Sequence, residues 1–283
     1  MELDVTKAVL IVPAGAGEVI GDSKLRTVLV RSDRDELHAT WSRFGPRLDG
    51  ASPHVHRRHT DLFYVLEGEL TIELGPDLDE MVVPAGLLVV APPLVVHAFR
   101  NGSESEVRYL NLHAPGGGFL DYMRGRRDGI VVPFDSEDPP ADGGRPAADG
   151  RVTTGEFAAD RPGLSVTLLA DLDAIGISEA RGEPGSPSPP PHLHRRHVES
   201  FYVLAGEMTF TVGGVELQAQ AGSWVQVPAG APHTFAFSGE EEVRFLNLHT
   251  PSCGYGAFVR GLHEARNAEE LRAVRAAFDQ EPA

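Results

Sequence analysis

Short runs of β-branched and aromatic residues punctuate the chain: "TVLV", "FYVL", "LTIEL", "MVVP", "GLLVVAP" and "VRYLNLH" in the first half, bounded by Gly, Pro or Asp, with counterparts in the second. Runs of this length predict strands, and their close succession predicts an antiparallel sandwich or barrel. In "VRYLNLH", Val107, Tyr109, Asn111 and His113 share one face, opposite Arg108, because successive side chains of a strand point to opposite sides. Two stretches read as helical instead. "GGFLDYMRGRR" follows the first set of strands, and "GAFVRGLHEARNAEELRAVRAAFDQ" follows the second, with Leu271, Val274 and Phe278 at helical spacing. The expectation is an all-β chain with short flanking helices.

The pattern is written twice. "PHVHRRHTDLFYVLEGEL" from Pro53 matches "PHLHRRHVESFYVLAGEM" from Pro191, and "VRYLNLHAP" from Val107 matches "VRFLNLHTP" from Val243. Collinear repeats of this kind predict two copies of one domain. Between them, "DSEDPPADGGRPAADG" is rich in Pro, Gly and Asp and too poor in apolar side chains to fold alone. The chain therefore divides into an N-terminal barrel over residues 1–130, a linker over 131–152, and a C-terminal barrel with its helix over 153–283.

Composition narrows the choice of function. With 283 residues and 41% hydrophobic content, each half has enough apolar material for a core. A formal net charge of −16 repels polyanions, and the basic runs are only "RGRR" and the two "HRRH" segments, so no nucleic-acid partner is expected. No apolar run approaches the roughly 18–20 residues that span a bilayer. The start has Asp and Glu before a short apolar stretch, unlike a signal peptide; a cytoplasmic location without a membrane partner is expected. Cys253 is the single cysteine and faces "APGGG" in the other copy, which excludes a duplicated catalytic thiol. No G-x-S-x-G elbow or P-loop is present.

Ten of the twelve histidines fall into five matched pairs: His54 with His192, His56 with His194, His59 with His197, His97 with His233, and His113 with His249. His54 and His56 are two apart and project from one face of a strand. A turn at Arg57-Arg58 can bring Asp61 round to them, and His97 arrives from a distant strand. Three neutral imidazoles and one carboxylate suit a divalent Fe, Mn, Ni or Zn and leave positions open on an octahedral ion. The second copy offers His192, His194, Glu199 and His233, so the chain can hold up to two ions. His59, His197, His113 and His249 are candidates to line the pocket or support the ligands from behind, since an imidazole shuttles protons near neutrality.

These residues resemble the cupin superfamily in its two-domain form, the bicupins, quercetin dioxygenases among them. The family's first motif is matched by His192, His194, Glu199 and Gly206, and in the first copy by His54, His56 and Gly68 with Asp61 replacing Glu. The second motif is matched by Gly222, Pro228, Gly230 and His233, with Phe237 where Asn is usual; the first copy has Gly86, Pro92, His97 and Asn101, with Leu94 at the Gly position. The resemblance implies two jelly-roll barrels (double-stranded β-helices) in tandem, an internal pseudo-dimer within a monomer or homodimer. It also implies a small-molecule substrate and a metal-dependent dioxygenase, an oxidoreductase acting on a flavonol- or enol-like compound. Glu199 and Asp61 would then be catalytic, taking a substrate proton while ligating, and "FYVL" would line the pocket wall. A metal-dependent isomerase or decarboxylase, and a non-catalytic small-ligand-binding module, remain alternatives, because fold does not choose among them. Asp61 is one methylene shorter than Glu, so a longer or water-bridged metal contact is expected there. Leu94 lacks the freedom of Gly, so a different turn is expected before His97. Both departures rank the second site as the better metal site.

Overall fold

The strand Thr60–Glu67 shows how alternation becomes a barrel wall. In the computed structural model, which describes residues 9–141, 146 and 148–283, Phe63 and Val65 of this strand are buried in the core. Asp61 has the same parity and carries that inward face to one end of the barrel. The first eight residues and part of the expected linker, 142–145 and 147, lie outside the described residues.

One unit spans Gly17–Thr154. Its seven-stranded sheet runs, in spatial order, Arg151–Thr153, Leu88–Ala91, Thr60–Glu67, Val107–Ala114, Leu37–Phe44, Arg26–Arg34 and Val19–Asp22. A four-stranded sheet, Asp49–His54, His97–Arg100, Glu69–Leu74 and Asp79–Pro84, supplies the other wall. Side chains from both sheets, among them Val30, Phe44, Phe63, Ile72 and Tyr109, form one core; burying each large apolar side chain contributes roughly 1.5–3 kcal/mol. All the pairings are antiparallel, and sequence neighbours are repeatedly not spatial neighbours, which is jelly-roll topology.

The second unit comprises Gly155–Ala283 together with the N-terminal stretch through Ala16. It repeats the plan with a seven-stranded and a five-stranded sheet around Phe201, Phe210, Phe237 and Phe245. Leu10–Val12, which leads the first copy, pairs with Trp224–Val227 of the second. Arg151–Thr153, which leads the second copy, pairs with Leu88–Ala91 of the first. Each copy's leading strand thus extends the sheet built mostly from the other copy.

Among the described residues three helices flank the barrels: α1 (Phe119–Asp128), α2 (Tyr255–Glu264) and α3 (Ala268–Ala277). The long helical stretch expected after the second copy is divided, because the Asn267 side chain accepts the backbone N–H groups of Glu269 and Glu270 at 3.0 and 2.9 Å and so starts a new helix. Phe278 lies beyond α3 in extended conformation rather than on its face. No helix among the described residues is long and apolar enough to cross a membrane.

Candidate metal centres

Cross-strand register assembles each centre. His97 is paired directly with His54, and His233 with His192, which brings the two rings of each pair to 4.3 and 4.4 Å between centroids. The bend at Arg57-Arg58 carries the chain from the smaller sheet to the larger one, where Asp61 stands near the start of its strand; Glu199 does the same in the second barrel. Within each of the sets His54, His56, Asp61, His97 and His192, His194, Glu199, His233, one donor atom per residue lies within 4.8 Å of the others.

The imidazoles are oriented from behind. His54, His56 and His97 direct Nδ1 at the backbone carbonyls of Ser52, Asp135 and Val95, at 2.8, 2.5 and 2.9 Å. His192, His194 and His233 direct theirs at the carbonyls of Pro190, Asp279 and Ala231, at 2.9, 2.5 and 2.9 Å. A carbonyl accepts only, so each Nδ1 carries the proton and each Nε2 presents its lone pair inward, the arrangement a metal-ligating histidine takes.

In the first centre the Nε2 atoms of His56 and His97 are buried without a hydrogen-bond partner, 3.6 and 3.4 Å from Asp61 Oδ2. In the second, Glu199 Oε2 lies 2.7, 3.1 and 4.0 Å from the Nε2 atoms of His233, His194 and His192. Donors about 2.1 Å from one ion stand roughly 3–3.5 Å apart, so both sets fit a divalent transition metal. Lone pairs and a buried carboxylate converge on one point in each barrel, and a divalent cation would satisfy them together.

Burial sets the protonation of these groups. It pushes His54 and His192 down to about 4, with neighbouring imidazoles adding to the effect. For Asp61 and Glu199 burial works toward the acid, yet the surrounding imidazoles outweigh it and hold both carboxyls well below their ordinary range. His194 is the exception, since Glu199 overcomes the burial penalty and raises its pKa.

Behind each carboxylate runs a chain of hydrogen-bonded side chains. Asn111 Nδ2 donates to Asp61 Oδ1 at 2.5 Å, Asn111 Oδ1 faces His113 Nε2 at 3.1 Å, His113 Nδ1 faces His59 Nε2 at 3.1 Å, and His59 Nδ1 faces Asp135 Oδ2 at 3.0 Å. The second barrel repeats this from Glu199 through Asn247, His249 and His197 to Asp279, with links of 2.9, 2.9, 2.8 and 2.9 Å. His113 and His249 also line the cavities, whereas His59 and His197 stack behind His56 and His194 at 4.0 and 4.1 Å. Burial pushes His59 and His197 down to about 4.

Asp135 and Asp279 were not among the sequence candidates, although a signal for them exists. "FDSE" at 134–137 and "FDQE" at 278–281 are a second short repeat, and both pack against "HRRH". Asp135 accepts the backbone N–H groups of Arg57 and Arg58, Arg57 pairs with Glu137 at 2.5 Å, and in the second copy Arg196 N–H donates to Asp279 while Arg195 pairs with Glu281 at 2.9 Å. The segment expected as a linker therefore delivers Phe134, Asp135 and Glu137 to the first centre, through a bridge between Val55 and Glu137.

Two further expectations are corrected. Leu94 adopts φ 67°, the same left-handed turn as Gly230 at 82°, and donates its N–H to His56 O at 2.7 Å just as Gly230 does to His194 O at 2.6 Å. The turn is preserved and Leu bears the strain. Since left-handed backbone costs a β-carbon about 1–2 kcal/mol and Gly loses up to ~1 kcal/mol through unfolded-state entropy, Leu94→Gly is expected to leave stability unchanged or raise it by up to about 1 kcal/mol in denaturant titration. The walls of the cavities, in turn, are not built from "FYVL": Phe63 and Phe201 lie in the cores below, and Phe44, Phe99, Phe119 and Phe134 or Phe235, Phe237, Phe245 and Phe278 form the walls. Cys253 is half-buried, which pushes its thiol up and away from thiolate chemistry.

A tandem pair of jelly rolls, each with three inward imidazoles and a carboxylate at the floor of a cavity, defines a class of metal-site scaffold. The family model described as "Cupin domain" matches residues 41–113 and 179–249, half of the chain, and the protein belongs to the cupin family. Over 44 residues it is 41% identical to quercetin 2,3-dioxygenase of Bacillus subtilis, a stretch that covers 16% of this chain and 13% of that protein. Among solved structures, a single-site variant of Bacillus subtilis oxalate decarboxylase matches 85% of this chain and 77% of its own at 17% identity, with a TM-score of 0.58. A protein described as glyoxylate-induced, from Pseudomonas aeruginosa, matches 85% of this chain and 88% of its own at 16% identity, with a TM-score of 0.62. The structural likenesses establish the shared bicupin fold.

Proposed function

We propose that the protein is a metal-dependent dioxygenase acting on a small enol-like substrate of the flavonol type, with the second barrel as its working site. The observation that carries this reading is the setting of Glu199: its Oε2 joins three Nε2 atoms at the floor of a cavity of about 400 Å³ walled by Phe235, Phe237, Phe245 and Phe258. His192, His194 and His233 would hold the metal through Nε2 with Glu199 beside them. When bound, a redox-active metal supplies Lewis acidity and an electron path to O₂. The aromatic wall excludes water and seats a flat apolar substrate.

Glu199 takes the enol proton. Asn247 fixes its Oε1 at 2.9 Å, and His249 Nε2 stands 3.6 Å from the same oxygen. With His197 and His249 both neutral, the chain from Asp279 to Asn247 lacks one of the hydrogens its links require, because Asp279 and Asn247 Oδ1 both accept. The missing hydrogen falls in the link between His249 Nδ1 and His197 Nε2, so the chain has room for one proton there.

A second reading rests on the first barrel. Its cavity, about 330 Å³, is lined by Arg26, Thr40, Ser42, Ser52 and Tyr109, a polar surface that suits a small acid and non-oxidative decarboxylation or isomerisation. One experiment separates the readings. Protein purified without chelator or histidine tag, and assayed for metal and for O₂ uptake with a flavonol, an enol and a dicarboxylate, is expected to hold a redox-active metal and to consume O₂ with the flavonol or enol until a chelator is added. Exclusive Zn, or product without O₂ uptake, favours the second reading. No turnover with any metal favours a binding module.

A further inference from the structure

The two cavities differ in a way the repeat does not dictate. That of the second barrel contains two guanidinium groups, Arg161 and Arg275, for which the described residues supply no carboxylate. Arg260 nearby is paired with Glu156 and Asp171. Arg275 instead has its Nε buried with no hydrogen-bond partner, and Gln280, on the same wall, has an unpartnered carboxamide oxygen. Arg161 donates to the carbonyl of Leu262, which leaves its charge unanswered. Burial and the proximity of Arg161 both disfavour the charged form of Arg275. An uncompensated cation at an apolar wall is costly unless something else brings the anion.

We propose that the second cavity takes an amphipathic carboxylate, a ligand with an apolar, aromatic-sized body whose carboxylate is received by Arg275 and Arg161 at the end away from the metal centre. The placement follows from α3. Arg275, in the last turn of α3, and Phe278, just beyond it, line the same cavity, and the Phe278 ring lies 5.9 Å from that of His194. An anion on Arg275 therefore shares one cavity with His192, His194 and Glu199, and a ligand held there can extend its other end toward them. Phe235, Phe237 and Phe245 accommodate the body between. A guanidinium is suited to this task because its planar fork binds a carboxylate bidentately. The first cavity also has two arginines, but Arg26 donates to Asp49 O and lies over the Phe44 ring, Arg126 donates to the Tyr122 hydroxyl, and Glu137 and Asp138 share the wall; among the described residues it has no counterpart of α3 and no arginine with a buried, unpartnered Nε on the cavity wall.

The inference rests on the reading of the second centre as the working site, and the test keeps the two apart. Full-length, metal-stripped protein is titrated calorimetrically with 4-phenylbutyrate and with its neutral amide, while metal uptake is measured in parallel on the same preparations. The carboxylate is expected to bind about tenfold or more tighter than the amide, the weight of one charge-assisted hydrogen bond. Arg275→Met should erase that preference without changing amide affinity, Arg275→Lys should retain part of it, and Arg260→Met, which removes an already paired guanidinium, should leave it intact. Equal binding of the two probes, no binding of either at millimolar concentration, or an Arg275→Met variant that weakens both alike overturns the inference. In the unsubstituted protein, no preference with normal metal uptake counts against the arginines only; failed metal uptake with an intact preference counts against the centre only.

Discussion

Glu199→Gln is expected to reduce turnover by about 10²–10⁴-fold, the weight of a positioned general base, while metal content falls far less. Gln keeps the length and one oxygen donor and loses the ability to accept a proton. Asn247 Nδ2 donates to Glu199 Oε1 at 2.9 Å, and the substituted side chain can present its carboxamide oxygen either to Asn247 or to the metal, so some loss of affinity accompanies the loss of the base. Asp61→Asn should matter less. Asp61 Oδ2 stands 3.4 and 3.6 Å from its nearest imidazole nitrogens, against 2.7 and 3.1 Å for Glu199, and its cavity mixes Arg26, Thr40, Ser42 and Ser52 with the phenylalanine rings. The comparison is made by steady-state kinetics and metal analysis on both variants after identical loading. Equal losses from the two would show equivalent barrels, and a Glu199→Gln enzyme with full activity would remove the carboxylate from the chemistry.

Metal-free protein is expected to lose several kcal/mol of stability as pH falls from 6.5 toward 4. His54, His59, His192 and His197 are each pushed down to about 4, chiefly by burial, from an ordinary 6.5. Between those values the unfolded chain takes up protons at these rings and the folded chain does not, so acid favours unfolding. The stability is fully present above pH 6.5 and is lost on descent through the folded values. Each ring is worth on the order of 3 kcal/mol at the acid end, and the rings of one barrel are coupled, so the total is less than four separate contributions. His194 opposes the trend, since Glu199 raises its pKa, but it is outnumbered, because burial also lowers His38, His113 and His249. A divalent cation competes with protons for the same Nε2 atoms, so loading should move the transition to lower pH. Thermal unfolding followed by circular dichroism at stepped pH, with chelator and with metal, provides the check. A melting temperature that stays flat from pH 7 to 4.5 in chelator would contradict the burial argument.

The histidines were legible because strand parity and duplication act together: a side chain that appears twice at the same place in two barrels is held there by the same geometry. Asn111 and His113 were likewise placed on the inward face by alternation alone. Asp135 and Asp279 were not, since "FDSE" lies in a stretch whose composition argues for a linker and "FDQE" follows a helix, so local signals describe their neighbourhoods and say nothing of the distant "HRRH" loops they complete. Leu94 shows another limit. A residue preference is a free-energy bias of about 1–2 kcal/mol, and the hydrogen bond to His56 O with the packing around His97 overrides it. The long helix was divided by one capping side chain, Asn267, whose effect depends on φ and ψ values that a helical periodicity does not report. The cavity walls were misjudged because alternation tells which face of a strand points inward and not how far along the barrel the floor lies.

The exchange of leading strands has a consequence for how such a chain can be divided. A cut in the Pro- and Gly-rich stretch near residue 145 separates the two copies in sequence but not in hydrogen bonding. The N-terminal fragment would keep Leu10–Val12 without its partner strand and expose the edge of Leu88–Ala91. The C-terminal fragment would have the converse defect along Trp224–Val227. Two bare sheet edges and two orphan strands are mutually complementary and otherwise prone to irregular association, so the two halves are expected to stay folded better when co-expressed as a split protein than when made apart.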